Sequence, residues 1–261
     1  MIRIQNYVRA ESLDEAYRLN QNKRSRILGG MLWLKMSNIS VNTAIDLSLL
    51  GLDQIEETEE EFSIGAMVTL RQLELHESLN AYANGVVAKA VHDIVGVQFR
   101  NMATVGGSIF GRFGFSDVLT VFLSMDTYVE LHKRGIVPLE EFVKMEKDRD
   151  ILVRLIVKKR PGRFVYQAMR NQRTDFPVLT CAVSNLEGEY RAVIGARPAK
   201  ARLLKDEQGL LNGGVNEESA KAFAAFAAET LPTGSNVRGT AEYRTHLIRV
   251  LTRRALLELE G

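Results

Sequence analysis

The stretch from Gln98 to Asp117, QFRNMATVGGSIFGRFGFSD, places four glycines and several hydroxyl residues between two helix-like segments. Gly106 and Gly107 are adjacent, so the backbone there can adopt positive φ, and neither residue has a Cβ to keep a ligand at a distance. Thr104 and Ser108 flank the pair with hydroxyl groups. Successive N–H groups in such a turn can form a concave site for a diphosphate. A plain turn is the other interpretation of a Gly-Gly pair.

Asp117 begins the apolar run that follows these glycines, directly after Ser116. The pattern predicts a helix with Ser116 as its N-cap and Asp117 in its first turn. An acid in that position either compensates the helix dipole or accepts hydrogen bonds from the sugar hydroxyls of a nucleotide whose phosphates lie on the glycines. The residues alone leave both roles open.

The same stretch resembles the second flavin motif of the FAD-binding (medium) subunits of molybdenum hydroxylases, the family of xanthine dehydrogenase and carbon monoxide dehydrogenase medium chains. That motif runs Gln-x-Arg-Asn-x-Ala-Thr-Ile-Gly-Gly-Asn, followed by a short loop and Ser-Asp. The family's first motif, Ala-Gly-Gly-Thr-Asp-Leu, is similar to residues 28–33 only at the glycines and the apolar frame. Met31 and Leu32 replace the polar residues, so any contact there depends on main-chain N–H groups.

A third segment, residues 236–244, resembles the family's Asp-x-Arg-Gly-Ser-x-x-Tyr-Arg, with Asn236 in place of Asp. We interpret it as a structural joint before the last helix. Together the three segments extend the resemblance to nearly the whole chain. They imply an α+β fold: a PCMH-type FAD-binding domain over residues 1–148, built from two α/β subdomains (about 1–53 and 54–148), and a smaller α+β domain over residues 149–261 whose sheet has helices on one face. The charged segment 144–150 marks the expected boundary.

The resemblance also implies a noncovalent FAD site and its residues. The diphosphate would be held by main-chain N–H groups and the Thr104 hydroxyl in two segments: Leu28, Gly29, Gly30, Met31, Leu32 and Trp33, and Thr104, Gly106, Gly107 and Ser108. Asp117 would bind ribityl or ribose hydroxyls. Gly111 lies where the family often has a hydroxyl residue beside the flavin ring, and Ile94 and Leu152 resemble apolar positions that wall the isoalloxazine. No catalytic or metal-binding residue is expected.

The implied function is electron transfer within a multi-subunit molybdenum hydroxylase. In such a complex a molybdopterin large subunit oxidises the substrate, a small subunit carries [2Fe–2S] clusters, and FAD passes the electrons to NAD or another acceptor. The sequence is consistent with this division, because Cys181 is its only cysteine and cannot build an iron–sulfur cluster by itself.

Composition restricts the other possibilities. The 34 basic and 32 acidic residues give a formal charge of +2, too balanced for a nucleic-acid partner bound mainly through phosphate contacts. No apolar run approaches the ~20 residues of a membrane span, and the first residues lack the apolar core of a signal peptide, so we expect a cytoplasmic protein.

Two alternatives remain open at this level. The altered first glycine motif favours an FAD-less scaffold that only joins its partners. More remotely, Gly111-Arg112-Phe113-Gly114 matches the GXXG loop of an RNA-binding KH domain.

Local patterns predict several elements. Capping boxes beginning at Ser12 and Thr69 predict helices ending near Asn20 and His76. Periodicity predicts one helix over 81–95, a strand over 151–157 that opens the C-terminal domain, and helices over 217–229 and about 240–257. The acidic segment around residues 56–61 reads as a solvated hairpin tip.

Overall fold

The computed structural model describes residues 1–261 and divides into two compact units. The first unit contains Met1–Gln72, Val97–Gly111 and Thr127–Val157, and the second contains Leu73–Gly96, Arg112–Asp126 and Lys158–Gly261. Both units mix helices and strands, so the expected α+β class is confirmed. None of the helices combines the length and the apolar character needed to cross a bilayer.

The strands are β1 (Arg3–Arg9), β2 (Arg26–Leu28), β3 (Ser40–Asp46), β4 (Ile55–Glu57), β5 (Glu61–Gly65), β6 (Thr127–Leu131), β7 (Gly135–Pro138), β8 (Leu152–Lys158), β9 (Gly162–Arg170), β10 (Pro177–Leu186), β11 (Glu189–Gly195) and β12 (Arg202–Lys205). The helices are α1 (Leu13–Asn20), α2 (Leu70–Leu75), α3 (Glu77–Tyr82), α4 (Val86–His92), α5 (Val97–Arg100), α6 (Val105–Phe110), α7 (Asp117–Leu123), α8 (Leu139–Phe142), α9 (Glu217–Thr230) and α10 (Ala241–Glu260).

The first unit contains two sheets. One is a parallel three-stranded sheet in the order β1-β3-β2, and α1 packs on it through Ala16 against Ile45 of the central strand. The other has five strands in the order β4-β5-β8-β6-β7. The β4–β5 hairpin carries the acidic tip at its exposed turn, as the sequence predicted. The two expected α/β subdomains, about residues 1–53 and 54–148, stay predictions.

Strand β8 lies between β5 and β6, whereas the sequence interpretation placed it at the start of the C-terminal sheet. The neighbouring Ile151 and Val153 are buried with Ala10 and Ala16 in the core of the first unit. Apolar alternation shows which side chains of a strand are buried, but it does not show which sheet the strand joins. The placement of this strand was therefore wrong.

The second unit is built on an antiparallel sheet in the order β12-β11-β10-β9. Helices α9 and α10 cover one face, where the Cys181 Sγ lies 3.8 Å from the Thr252 Oγ1. The opposite face is covered by α7, and there the Thr180 Oγ1 lies 2.9 Å from the Thr120 Oγ1. Within residues 158–261 the helices lie on one face of the sheet, as expected. The sequence did not predict that α7 covers the opposite face.

The single helix expected over residues 81–95 is two helices, α3 and α4. Asn84 and Gly85 separate them, with φ angles of 51° and 75°. Two consecutive residues in the left-handed region cannot continue a right-handed helix. The Asn84 Oδ1 also accepts a hydrogen bond from the Phe164 N–H at 3.0 Å, which fixes the break within the second unit.

The predicted capping box at Thr69 is present: the Gln72 N–H donates to the Thr69 Oγ1 and the Thr69 N–H donates to the Gln72 Oε1. At the start of α1 the Ser12 Oγ accepts from the Glu15 N–H, as predicted, while the Glu15 carboxylate accepts from the Glu11 N–H instead of from Ser12. Local caps were therefore predictable to within one residue.

The segment 236–244 is a structural joint, as its pattern indicated. Arg244 is fully buried and donates to the carbonyls of Val178, Gly234 and Gly239 at 2.9, 2.7 and 2.6 Å. Its Nη2 donates to the Asn236 Oδ1 at 2.6 Å. All four acceptors are neutral, and burial lowers the pKa of the Arg244 guanidinium.

We expect Asn236→Asp to raise the free energy of unfolding by about 0.5 to 1 kcal/mol near neutral pH, because it places a carboxylate at an exposed position against this buried guanidinium. Chemical denaturation of both proteins measures the difference. The pairing lowers the folded-state pKa of the new carboxyl, so the gain should disappear as the pH falls and the introduced carboxylate becomes protonated. A gain that persists at acid pH would contradict the charge pairing.

Candidate functional site

Two glycine-containing segments meet within the first unit: residues 28–33, the first glycine segment, and residues 102–108, the second glycine segment. A Cβ added at Gly30 would lie 1.8 Å from the Met102 carbonyl oxygen, and one added at Gly29 would lie 2.8 Å from the Thr104 Oγ1. Any other residue at position 30 forces the two backbones apart. Sequence reasoning predicted both segments, and the structure brings them together.

The first glycine segment begins where β2 ends at Leu28. The amide hydrogens of Gly29, Gly30, Met31 and Leu32 have no acceptor within the chain. All four residues are partly exposed, and Met31 has a φ of 56° in the left-handed region. Successive unpaired N–H groups around a left-handed residue form a concave anion-binding surface. Such donors would need no polar side chain at Met31 or Leu32.

The second glycine segment is the start of α6, not a turn with positive φ as expected. Gly106 is required by close packing, because an added Cβ would lie 2.7 Å from the Ala66 carbonyl oxygen. Thr104 is the N-cap, and its Oγ1 accepts from the Gly107 N–H at 3.1 Å. The Ser108 Oγ donates to the Thr104 carbonyl at 3.0 Å.

The main-chain donors of this second segment already have acceptors. The Val105 N–H donates to the Val68 carbonyl and the Gly106 N–H to the Ala66 carbonyl, at 2.8 and 2.7 Å. The Gly107 N–H is used by the Thr104 cap. The sequence led us to expect that these amides donate to a phosphate. In the structure, residues 105–107 have no unpaired N–H group.

Three further predicted residues lie outside the two glycine segments. Gly111 is the C-cap of α6 and is partly exposed. Leu152 is 5% exposed on β8, opposite Leu131 of β6. Ile94 belongs to the second unit, follows α4 and is partly buried. Their expected contacts with the flavin ring stay predictions.

Asp117 belongs to the second unit and is 4% exposed. Ser116 caps the helix as predicted, with its Oγ accepting from the Leu119 N–H at 3.1 Å. The Asp117 Oδ1 accepts a hydrogen bond from the Tyr166 hydroxyl and a second one from the Arg170 Nη2 at 2.5 Å. Asp117 therefore has two partners inside its own unit, and its expected contact with sugar hydroxyls stays a prediction.

Burial raises the pKa of Asp117 from 3.8 to about 6, against the lowering effect of the Arg170 charge. Burial and the neighbouring carboxylate also raise the pKa of the Tyr166 hydroxyl. Sequence reasoning missed both partners. The available signal was the spacing of Tyr166 and Arg170 on β9, since residues four apart on a strand share a face and a buried arginine requires an acceptor.

Tyr166 and Arg170 also line a polar cavity of about 320 Å³ in the second unit, together with Lys89, Asp93 and Arg173. The Arg173 Nε donates to the Asp93 Oδ1 at 3.0 Å. Each of the three basic side chains has an acidic partner, because Lys89 pairs with Glu258 at 3.5 Å and Arg170 pairs with Asp117. No sequence pattern indicated this cavity, because its residues come from α4, β9 and the residues that directly follow each of them.

The GRFG segment does not have the form of an RNA-binding loop. Arg112 is 4% exposed with a φ of 46°, so its basic side chain is not presented to solvent. The proposed KH-type loop was therefore wrong: a GXXG loop binds a phosphate backbone only when it is exposed.

The family described as "FAD binding domain in molybdopterin dehydrogenase" matches residues 2–159, and the family described as "CO dehydrogenase flavoprotein C-terminal domain" matches residues 164–259. The chain belongs to the FAD-binding molybdopterin dehydrogenase family. FAD is its cofactor, and the chain is a component of an oxidoreductase.

Curated relatives match over nearly their whole length. A protein named xanthine dehydrogenase FAD-binding subunit, from Escherichia coli O157:H7, is 27% identical, with 97% of this chain and 94% of that protein covered. The glyceraldehyde dehydrogenase medium chain of Sulfolobus acidocaldarius is 24% identical, with 97% of each covered. The nicotine 6-hydroxylase medium subunit of Paenarthrobacter nicotinovorans is 26% identical, covering 97% of this chain and 96% of that one.

Solved structures share the fold. A chain of carbon monoxide dehydrogenase from Hydrogenophaga pseudoflava superposes with a TM-score of 0.87 at 22% identity, covering 98% of this chain and 97% of that chain. A chain of quinoline 2-oxidoreductase from Pseudomonas putida 86 gives a TM-score of 0.83 at 19% identity, covering 97% and 96%.

The residues of the first unit fit the diphosphate of FAD. The four unpaired amides of the first glycine segment could donate hydrogen bonds to the phosphates. The absence of Cβ atoms at Gly29 and Gly30 allows the second glycine segment to pack closely against the first. Met31 and Leu32 lack the polar side chains of the family's motif, so binding here would depend on the main chain.

We expect Gly30→Ala to weaken FAD binding about tenfold or more, because the new methyl group displaces the Met102 backbone and opens the contact between the two segments. Fluorescence titration with FAD measures the affinity. Gly213→Ala is the matched control, since an added Cβ there meets nothing within 4 Å and its φ is not positive. Equal FAD affinity in both variants would show that the close approach is not required.

The raised pKa of Asp117 predicts a pH-dependent stability. Because the folded-state pKa exceeds the unfolded value, the contribution of this group is greatest below pH 3.8 and is lost as the pH rises through about 6. The variant Asp117→Asn does not lose this contribution. As the pH rises from about 4 to about 7, its unfolding free energy should therefore increase by about 3 kcal/mol relative to that of the wild type. Denaturant unfolding across this range tests the sign. A change in the opposite direction would mean that the Arg170 ion pair outweighs burial.

Proposed function

We propose that this chain is the electron-transfer subunit of a molybdenum hydroxylase complex of the xanthine dehydrogenase or carbon monoxide dehydrogenase type. In this proposal electrons arrive from [2Fe–2S] clusters on a small partner subunit, and a molybdopterin large subunit oxidises the substrate. NAD or another molecule accepts the electrons. The observation that carries the proposal is the meeting of the two glycine segments, which supports a diphosphate site in a family whose cofactor is FAD.

The division of labour follows from the thiol content of the chain. Cys181 is fully buried on β10, and burial raises the pKa of its thiol to about 12. A protonated, enclosed thiol is not a metal ligand, and a cluster requires several thiolates. This supports an iron–sulfur centre on a separate subunit. The relatives named as subunits or medium chains support the same arrangement.

The residues of this chain bind and orient the cofactor. Bound FAD would supply the redox chemistry, exchanging electrons between one-electron centres and a two-electron acceptor. The amides of residues 29–32 would donate hydrogen bonds to the diphosphate, and the Thr104 cap fixes the start of the second segment. Gly111 and Leu152 are proposed to lie beside the flavin ring, and the expected flavin contacts of Asp117 and Ile94 stay predictions. No proton transfer by a side chain is required.

The substrate of the complex is not a property of this chain in this proposal. The relatives of similar identity carry names that refer to xanthine, glyceraldehyde and nicotine. A flavin-bearing subunit handles electrons rather than substrate carbon, so one such fold can serve complexes with different substrates.

We expect the purified chain, incubated with FAD and desalted, to release flavin when it is denatured. Under anaerobic conditions the loaded chain should lose its flavin absorbance on addition of NADH, because electron transfer between flavin and nicotinamide is reversible. Bleaching by dithionite but not by NADH would assign the acceptor to another class of molecule. A wild-type chain that releases no flavin would contradict the flavoprotein proposal and favour the FAD-less scaffold.

A further inference from the structure

Trp33 is the only tryptophan in the chain, and 45% of its surface is exposed. It follows the first glycine segment's unpaired amides directly and precedes the short 3₁₀ turn Leu34–Met36. In the family's first flavin motif an aliphatic residue occupies this place. A large aromatic ring left half in solvent beside an anion-binding surface can stack on a flat ligand group.

The position of Trp33 next to the unpaired amides favours the adenine half of FAD. Consecutive Cα atoms are about 3.8 Å apart, so the Trp33 side chain is attached to the backbone directly beside any phosphate held by the Leu32 amide. In FAD the adenine is separated from the diphosphate by a single ribose, whereas the isoalloxazine lies beyond the longer, open ribityl chain. The adenine is therefore the ring with the shorter connection to a phosphate held beside Trp33.

The charge of the segment agrees with this assignment. Lys35 is the only charged residue between positions 28 and 36, is exposed and forms no ion pair. Its N–H donates to the Met31 carbonyl at 2.9 Å, which places the lysine one turn beyond the unpaired amides. An unpaired cation next to four free N–H groups favours a doubly charged diphosphate over an uncharged ligand.

We propose that Trp33 stacks on the adenine of FAD and makes the first glycine segment selective for the dinucleotide over FMN. This inference rests on the proposed diphosphate site at residues 29–32. The indole supplies binding that Met31 and Leu32, which lack polar side chain atoms, do not provide. FMN, which has neither the adenine nor the second phosphate, gains nothing from Trp33.

The intrinsic fluorescence of the full-length chain reports on this contact, because Trp33 is its only source of tryptophan emission. FAD itself is not diagnostic, since a flavin quenches tryptophan by energy transfer over a distance. ADP does not absorb the emission of tryptophan, so a change caused by ADP requires proximity. We expect ADP to shift or quench the Trp33 emission, and we expect excess ADP to displace FAD.

Affinity measurements on variants complete the test. Trp33→Leu should weaken FAD binding by about 5- to 100-fold and leave FMN binding unchanged, whereas Trp33→Phe should retain most of the affinity for FAD. Met36→Leu is the matched control, because Met36 lies on the same turn and is 72% exposed. Since Trp33 is largely outside the core, these variants should unfold at the wild-type denaturant concentration.

The outcomes separate this inference from the function on which it rests. If wild type binds FAD and Trp33→Leu binds it equally well, the stacking role is wrong while the flavoprotein proposal stands. If Trp33→Leu weakens FMN as much as FAD, the indole contacts the isoalloxazine half and the adenine assignment is wrong. If wild type binds neither FAD nor ADP, both proposals fail, and exposed Trp33 is left as a candidate contact for a partner subunit.

Discussion

The close approach of two backbones at Gly30 is the contact on which the proposed site depends. A peptide carbonyl occupies the volume that any side chain at position 30 would need, so the first and second glycine segments can meet only through glycine. The second segment keeps its own amides paired inside the first unit and acts as a rigid support. The first segment keeps its amides unpaired and partly exposed. The backbone N–H groups of the second segment thus already have acceptors, and only those of the first segment are left to bind a ligand.

This arrangement explains how the chain tolerates Met31 and Leu32 in a motif that usually carries polar side chains. Backbone N–H groups do not depend on residue type, so a site built from them survives substitutions that preserve the local conformation. The positive φ of Met31 is the feature that has to be preserved. The apolar side chains of the segment are then available for other uses: Met31 packs beside Leu28 and Val41 in a small core, and Trp33 remains at the surface.

Local patterns in the sequence were good predictors wherever the determining interaction is itself local. The caps at Ser12, Thr69 and Ser116 join residues three apart, and each was predictable. Gly106 was expected to allow a positive φ, but the structure shows that its constraint is close packing against the Ala66 carbonyl. The partners of Asp117 lie about fifty residues away on β9, and no periodicity connects them. The placement of β8 failed in the same way, since strand order depends on non-local pairing.

The two covered faces of β10 restrict how this chain can be recombined with a relative. Thr180 on one face contacts Thr120 of α7, and Ser184 donates to the Ser124 carbonyl at 2.6 Å. A chimera whose junction falls between residues 126 and 158 takes α7 from one parent and the sheet from the other. Both hydroxyl contacts then join residues that did not evolve together, in a layer with no solvent to replace a lost hydrogen bond. The C-terminal region can therefore be exchanged between relatives only when α7 comes from the same parent.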